Sequence, residues 1–413
     1  MNTINKKCVF TYLCLFFCFL YFLGCATHPA PITDNSGDFN FAQFLEKIRQ
    51  EEKLPAIAAS VIINGDIYAK AAVGTRKYGT ENWVTVNDKF LIGSCGKAFT
   101  ATLSAILINE GLLQWDTSVG EVFPEIIMHP EWESITIQQL LTNRSGYADD
   151  ADSKLLPNDQ LMPLWNDNNP PMDMRSSYMK IAINIKPRQP PNEVVIYANS
   201  GFLIAGAMLE KLANKSFENL MQEKLFNPLA LKTAGYGSPA TIDPISQPYG
   251  HFANSPIKKD FPDYISPMGN VAISIGDWSN FVLFHMNTYQ DINQIILDSL
   301  TLQKLHTPPN SARYVNSELK SWIAKTIYGL DLKTFSYAFG WGTKKESGEN
   351  YLLLHDGQGS SFSATIEADP KSKSAILIVT NAKVDLDRLH KAAKRIRKYY
   401  ATKTNLPNQF ILP

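Results

Sequence analysis

The chain has 413 residues, 45 % of them hydrophobic and 11 % aromatic, enough apolar material for a large buried core and too much for a disordered chain. Its 39 basic and 39 acidic side chains cancel, so there is no net charge to gather a polyanion and a nucleic-acid partner is disfavoured at the outset. One large domain, or two interlocked lobes, fits this length.

Lys6 and Lys7 precede an apolar run over residues 8–24, the pattern of an export signal. The run is shorter than the roughly 20 residues of a spanning helix. Cys25 follows Phe22-Leu23-Gly24 directly, a junction that resembles the lipobox of bacterial lipoproteins. The expectation is a signal peptide over 1–24, lipidation of Cys25, and a periplasm-facing protein held to a membrane by its lipid; an uncleaved anchor is the alternative. Ala26 after the cysteine points to the outer membrane. Cys8, Cys14 and Cys18 would leave with the signal, so Cys95 has no partner and the fold stands without disulfides.

Residues 25–38 carry Pro, Gly, Ser and Asn and read as a tether. Phe41, Phe44, Leu45 and Ile48 recur at helical spacing. Residues 56–64 and 67–73, around Gly65-Asp66, predict a β-hairpin. Residues 93–113 predict a buried helix ending at Gly111, with Phe99, Leu103, Ile106 and Leu107 on one stripe. Loops rich in Pro, Asn and Asp fill 149–191 around a short helix at 176–185. Further helices are predicted at 201–213, 216–225 and 274–289. After Phe335 the period shifts to two, and 336–342, 351–355, 361–367 and 374–381 predict an antiparallel meander, with turns at 347–348, 357–359 and 369–370. A basic amphipathic helix over 385–400 closes the chain. Strands at both ends and helices between them imply an α/β (α+β) fold, an antiparallel sheet flanked by helices with an inserted helical lobe. The domain would span 39–405, with an α/β lobe at 39–82 and 265–405, a helical lobe at 83–264, and a tail at 406–413.

No HExxH, CxxC pair or GxSxG occurs, and Gly96-Lys97 fails as a P-loop. Ser94-Cys95-Gly96-Lys97 places a hydroxyl and an amine three residues apart at a helix start, where both face the same way. A desolvated lysine near a positive helix end has a lowered pKa and can take the serine proton. Ser-x-x-Lys recurs at Ser177/Lys180, Ser255/Lys258 and Ser317/Lys320, but in loop-rich or polar contexts.

Order separates the first copy from the rest. Tyr197-Ala198-Asn199 and His355-Asp356-Gly357 follow Ser94 in sequence, and together they resemble the SxxK, YxN and [KH]xG motifs of the serine β-lactamase and penicillin-binding protein superfamily, closest to the class C β-lactamase-like branch. The likeness extends through Gly111 to Leu113, Trp115-Asp116, Ile135 to Ile137, Leu140 to Thr142, Ser145-Gly146, Leu225 to Leu229 and Phe339 to Gly342, over about 41–381. A second YxN at Tyr314 to Asn316 fits no family spacing. Asn143-Arg144 replaces the family's His-Thr, Ala198 stands where Ser is common, and Gly96 where Thr or Ser is usual.

The resemblance implies a serine hydrolase acting through an acyl-enzyme, without metal or organic cofactor. Ser94 would be the nucleophile; Lys97 and Tyr197 would share the general-base work, in an order left open. Asn199 would hold a substrate amide, and the backbone N–H groups of Ser94 and Gln358 would bind the oxyanion. Gly357 would be small so that substrate lies along its strand. His355 replaces the branch's usual lysine, which leans towards a DD-peptidase, D-amino-acid amidase or esterase. The partner would be a small molecule or a peptidoglycan peptide, the protein a monomer; alternatives are a promiscuous carboxylesterase and a silent peptidoglycan-binding lipoprotein. Cys95 and most tryptophans, Trp83, Trp115, Trp165 and Trp341 among them, are expected in packed surroundings, Arg144 in an exposed loop, and the six other histidines on loops and helix surfaces.

Overall fold

Asn64 and Gly65 both take positive φ, 54° and 89°, the handedness that a two-residue hairpin turn requires. They join β1 (Ala56–Ile63) to β2 (Asp66–Gly74), with Ala56 opposite Gly74 and Ile63 opposite Asp66. The turn falls one residue earlier than expected because asparagine, not aspartate, accepts the first left-handed position. In this computed structural model the described residues are 30–33, 37–147, 169–286, 296–309, 313–314, 335–346 and 350–401. Cys25, the signal over 1–24, most of the tether, His28, Trp165, the Ser317/Lys320 pair and the tail lie outside them.

The remaining strands of the main sheet come from the far end of the chain: β3 (Phe335–Tyr337), β4 (Gly342–Lys345), β5 (Tyr351–Gln358), β6 (Ser363–Asp369) and β7 (Ser374–Thr380). The seven-stranded order is β3-β4-β5-β6-β7-β1-β2. Every neighbouring pair is antiparallel, and β1 meets β7 with Ile57 opposite Thr380 and Ile62 opposite Ala375.

Two predicted strands are redrawn. The stretch 336–342 is not one strand: it breaks at Gly340, whose φ of 74° and contact with the next layer demand glycine, since a Cβ there would lie 2.6 Å from the Lys97 carbonyl. Beyond its predicted end, β5 runs on through Gly357 to Gln358, and the turn comes later, with Gly359 N–H donating to Phe362 O at 3.0 Å.

The longer helices are α1 (Phe39–Glu51), α2 (Lys97–Asn109), α3 (Pro171–Ala182), α4 (Asn199–Ala213), α5 (Ile275–His285), α6 (Ser299–His306) and α7 (Asp387–Ala401). Asp38 caps α1 by accepting from Phe41 N–H at 2.7 Å. All eight residues of β1 are buried, and they alternate between two cores. Ile57, Ala59, Val61 and Ile63 pack under α1 and α7, while Ala56, Ala58 and Ile62 join the core shared with the helices that lie between β2 and β3 in sequence. There α2 is buried from Lys97 to Leu107, and Phe99 stacks on Phe281 of α5 with ring centroids 3.6 Å apart. Arg175 of α3, fully buried, ties this layer together through Glu210 of α4 at 2.6 Å and the carbonyl of Tyr264 at 2.7 Å. The architecture is α/β, an antiparallel sheet flanked by helices with a helical insertion. Among the described residues no helix is long and apolar enough to cross a membrane.

Candidate active site

The helix predicted over 93–113 opens as a 3₁₀ turn, Gly93–Gly96, and becomes α-helical only at Lys97. In a 3₁₀ turn residues i and i+3 eclipse. Ser94 therefore sits over Lys97, with Oγ and Nζ 2.9 Å apart. Gly93 enters the turn at φ 51°, and a Cβ there would lie 2.5 Å from the Gln358 amide nitrogen, so the turn bearing Ser94 lies directly against the end of β5. At Gly96, where the resemblance leads one to expect Thr or Ser, a Cβ would come within 3.0 Å of Val271 Cγ2, so a larger residue there would have to shift that side chain.

Lys97 is fully buried, while Ser94, Tyr197 and Asn199 keep partial exposure. Besides Ser94, Lys97 Nζ lies 2.7 Å from Asn199 Oδ1 and 2.7 Å from the Met268 carbonyl. It also stands 4.9 Å from the Tyr197 ring centroid and 5.4 Å from that of Phe202. Asn199 is the first residue of α4, preceded by Ala198 in extended conformation, which is how one short motif delivers both a phenol and an amide to the lysine.

The Asn143-Arg144 substitution has structural uses that the sequence did not disclose. Asn143, buried at φ 57°, accepts from Ile196 N–H through its carbonyl at 2.9 Å and from Ala198 N–H through Oδ1 at 3.1 Å, gripping the backbone on both sides of Tyr197. Arg144 is buried, not exposed as expected. Its guanidinium donates to the carbonyls of Tyr337, 3.2 Å, and Pro309, 2.8 Å.

His355, 8 % exposed, lies beside Tyr197 with ring centroids 6.3 Å apart. Its Nδ1 is 2.7 Å from the Asp356 carbonyl and its Nε2 3.1 Å from the Tyr337 hydroxyl. Burial, with Lys97 nearby, pushes its pKa down to about 4. On the opposite face of β5, Asp356 accepts from His390 Nε2 of α7 at 2.9 Å.

Gly357 is small for a reason other than the expected one. A Cβ there would lie 1.9 Å from the Ile92 carbonyl oxygen and 3.2 Å from Cys95 Sγ, so the space belongs to the chain itself. The Gln358 side chain is exposed and donates to Val384 O at 2.6 Å, leaving its backbone amide as the group beside Gly93. Cys95 is buried, its thiol 3.5 Å from the His355 carbonyl and pushed well up by desolvation, the inert packing role expected of it.

The other Ser-x-x-Lys copies among the described residues are not brought to this site. Ser177 donates to Asp173 O on the exposed side of α3, and Ser255 opens an exposed hairpin strand. The expectation for the other histidines fails at four positions. His251, His285, His306 and His390 are buried, and His285 Nδ1 lies 2.9 Å from His306 Nε2 with Thr102 Oγ1 3.0 Å away on its other side. Among the described residues no cluster of three or more His, Cys, Asp or Glu is placed to hold a metal ion. A cavity of about 570 Å³ opens elsewhere, lined by Trp115, Gln138 and Asn192, and none of Ser94, Lys97, Tyr197, Asn199 and His355 lines it.

Set against known proteins, the chain matches the β-lactamase family profile over residues 41–401. It is 25 % identical over 317 residues to penicillin-binding protein 4 of Amycolatopsis lactamdurans, covering 74 % of each chain, and 27 % identical over 210 residues to a β-lactamase of Escherichia coli (strain K12), covering half of each. The octameric penicillin-binding protein homologue from Pyrococcus abyssi shares its fold, with a TM-score of 0.66 at 20 % identity over 88 % of this chain and 81 % of that one. A sheet assembled from both ends of the chain, with a serine–lysine pair at its junction with the helices, is thus matched by a family profile across almost the whole described chain: this protein belongs to the β-lactamase family and is a serine hydrolase.

Proposed function

We propose that the chain hydrolyses an amide, β-lactam or ester carbonyl through an acyl-enzyme on Ser94. The observation that carries this is the set of partners around Lys97 Nζ. Asn199 Oδ1 and Met268 O are acceptors only, and in a neutral amine they take two N–H groups. The lone pair is then directed at Ser94 Oγ, 2.9 Å away. Ser94 Oγ bonds to the carbonyl carbon as its proton passes to Lys97, directly or with Tyr197, and the leaving nitrogen or oxygen departs carrying that proton. Water then cleaves the acyl–Ser94 bond, releasing the acid and restoring the hydroxyl. The amides of Ser94 and Gln358 on either side of Gly93 receive the oxyanion, and Asn199 steers a substrate amide.

Peptides ending in D-Ala and β-lactam-like rings are the substrates the family relationship favours, with simple esters as the alternative. Intact-mass spectrometry after incubation with a β-lactam and a fluorophosphonate tests the nucleophile. One adduct is expected on the wild type and none on Ser94→Ala, with turnover lost; equal turnover by both proteins would refute the assignment. We further propose an exported lipoprotein anchored through Cys25, a reading supported by Lys6-Lys7, the apolar run and the Leu23-Gly24-Cys25 junction. Radiolabelled palmitate incorporated by the wild type and not by Cys25→Ala is the expected result.

A further inference from the structure

The two ring nitrogens of His355 are both engaged by the protein, and their partners fix which carries hydrogen. A backbone carbonyl can only accept, so Nδ1 bears the proton and donates to Asp356 O at 2.7 Å. Nε2 is left with a lone pair, and the Tyr337 hydroxyl 3.1 Å away donates to it. Tyr337 is itself 2 % exposed, its carbonyl is held by Arg144, and its ring lies 5.9 Å from that of Tyr197, so the hydroxyl has a fixed post. The two buried basic side chains at this corner are committed as well: Lys97 to Ser94, Asn199 and Met268, and Arg144 to the Tyr337 and Pro309 carbonyls. A substrate carboxylate brought to this end of β5 would lose its water and meet a ring with neither charge nor free N–H.

We propose that Tyr337 is a specificity-determining residue: by occupying His355 Nε2 it directs the Ser94 site to carbonyl substrates whose leaving group is uncharged, such as esters and carboxyl-blocked peptides, over the same substrates with a free carboxylate. This rests on the acyl-enzyme reading of Ser94 given above and, among the substrates named there, selects esters and carboxyl-blocked D-alanyl peptides over peptides that end in a free D-Ala carboxylate. The low pKa of His355 agrees with it, the ring being neutral at pH 7. The discrimination expected is about tenfold or more, what one unpaired desolvated ionic group is ordinarily worth.

A matched pair of N-acyl-D-alanyl aryl esters separates the outcomes: one releases 3-hydroxybenzoate, the other 3-hydroxybenzamide. The scissile bond is the same and only the charge of the leaving group differs. The wild type should turn over the benzamide ester with a kcat/KM at least about tenfold higher. In Tyr337→Phe, where Nε2 is free to bind a proton together with an incoming carboxylate, the ratio should fall towards one; in His355→Lys it should invert. Each ratio is taken within a single preparation, so partial misfolding of a variant does not alter it. Equal rates on the two esters, a wild-type preference for the benzoate, or ratios unchanged in both variants would overturn the proposal while Ser94 acylation stands. Absence of turnover on both, with Ser94 unlabelled by the fluorophosphonate, would overturn the acyl-enzyme reading and this proposal with it.

Discussion

Asn143 shows how a departure from a familiar motif acquires a use. Its left-handed backbone turns the carbonyl to Ile196 N–H and its side chain to Ala198 N–H, so a single residue brackets Tyr197. Both Asn143→Gly and Asn143→Ala remove the side-chain hydrogen bond; glycine adopts the left-handed backbone freely, whereas alanine keeps a Cβ at φ 57° without the polar side chain that makes asparagine tolerant there. Both variants should lower kcat, as Tyr197 loosens, and alanine should cost about 1 kcal/mol more stability than glycine in urea unfolding. Equal stability losses with undiminished kcat would disconnect Asn143 from Tyr197. That Ser94, Lys97, Tyr197 and Asn199 would meet was legible in the sequence, because side chains at fixed spacing on short motifs bring them to one amine. Asn143, Arg144 and Tyr337 were not, because they act through backbone carbonyls or through a hydroxyl whose partner lies on another strand. Met268 was invisible for a simpler reason: what it offers is a carbonyl, which every residue has.

Among the elements, the end of β5 is braced by a loop far from it in sequence. The Asp260 carboxylate accepts from Ser360 N–H at 2.8 Å, Ser360 Oγ at 2.7 Å and Ser361 N–H at 2.8 Å, and from Ser361 Oγ, pinning the turn that follows Gln358. Asp260→Ala should destabilise the protein by about 2–3 kcal/mol, the scale of hydrogen bonds to a charged group. It should also lower kcat more than it raises KM, since the Gln358 amide is proposed to act on the oxyanion; chemical denaturation and steady-state kinetics on one ester check both. Periodicity located the strands of this region but set two boundaries wrongly, at Gly340 and at Gly357. Gly357 was read as the start of a turn and Gly340 as the interior of a strand. Each is instead a place where the sheet touches the layer bearing Lys97 and Cys95, and such a contact leaves no periodic trace in the sequence.

Across the whole molecule, burial of imidazoles ties stability to pH. His251, His285, His306 and His355 all have pKa values lowered by desolvation, His306 to about 3 and His355 to about 4. The unfolded chain takes up protons at these positions below about pH 6.5, whereas the folded protein does so only at lower pH. Stability is therefore full above about pH 6.5 and erodes as the pH falls towards 4, by up to about 1.4 kcal/mol per pH unit for each group. His390 has the opposite sign. Burial opposes its charge, but the hydrogen bond and charge of Asp356 prevail and raise its pKa, so its contribution is present below about pH 6.5 and lost as the pH rises through the raised value. Urea midpoints at pH 7.5, 6 and 5 should decline, and His306→Gln should flatten the decline; a midpoint constant over this range would contradict it. The sequence offered no warning of these histidines, because burial of a polar ring depends on tertiary neighbours such as Thr102 and Trp341 and not on spacing.

The union of β1 with β7 sets an order of events in time. Thr380 donates its hydroxyl hydrogen to the Ala56 carbonyl at 2.6 Å, 324 positions away. A ribosome must deliver nearly the entire polypeptide before that seam can close, and until then the opening hairpin lacks a neighbour on its inner side. The sheet of a newly made chain thus stays unfinished until synthesis is nearly over. Protein ended by a stop codon ahead of Ser374 should accumulate as protease-sensitive material without native sheet.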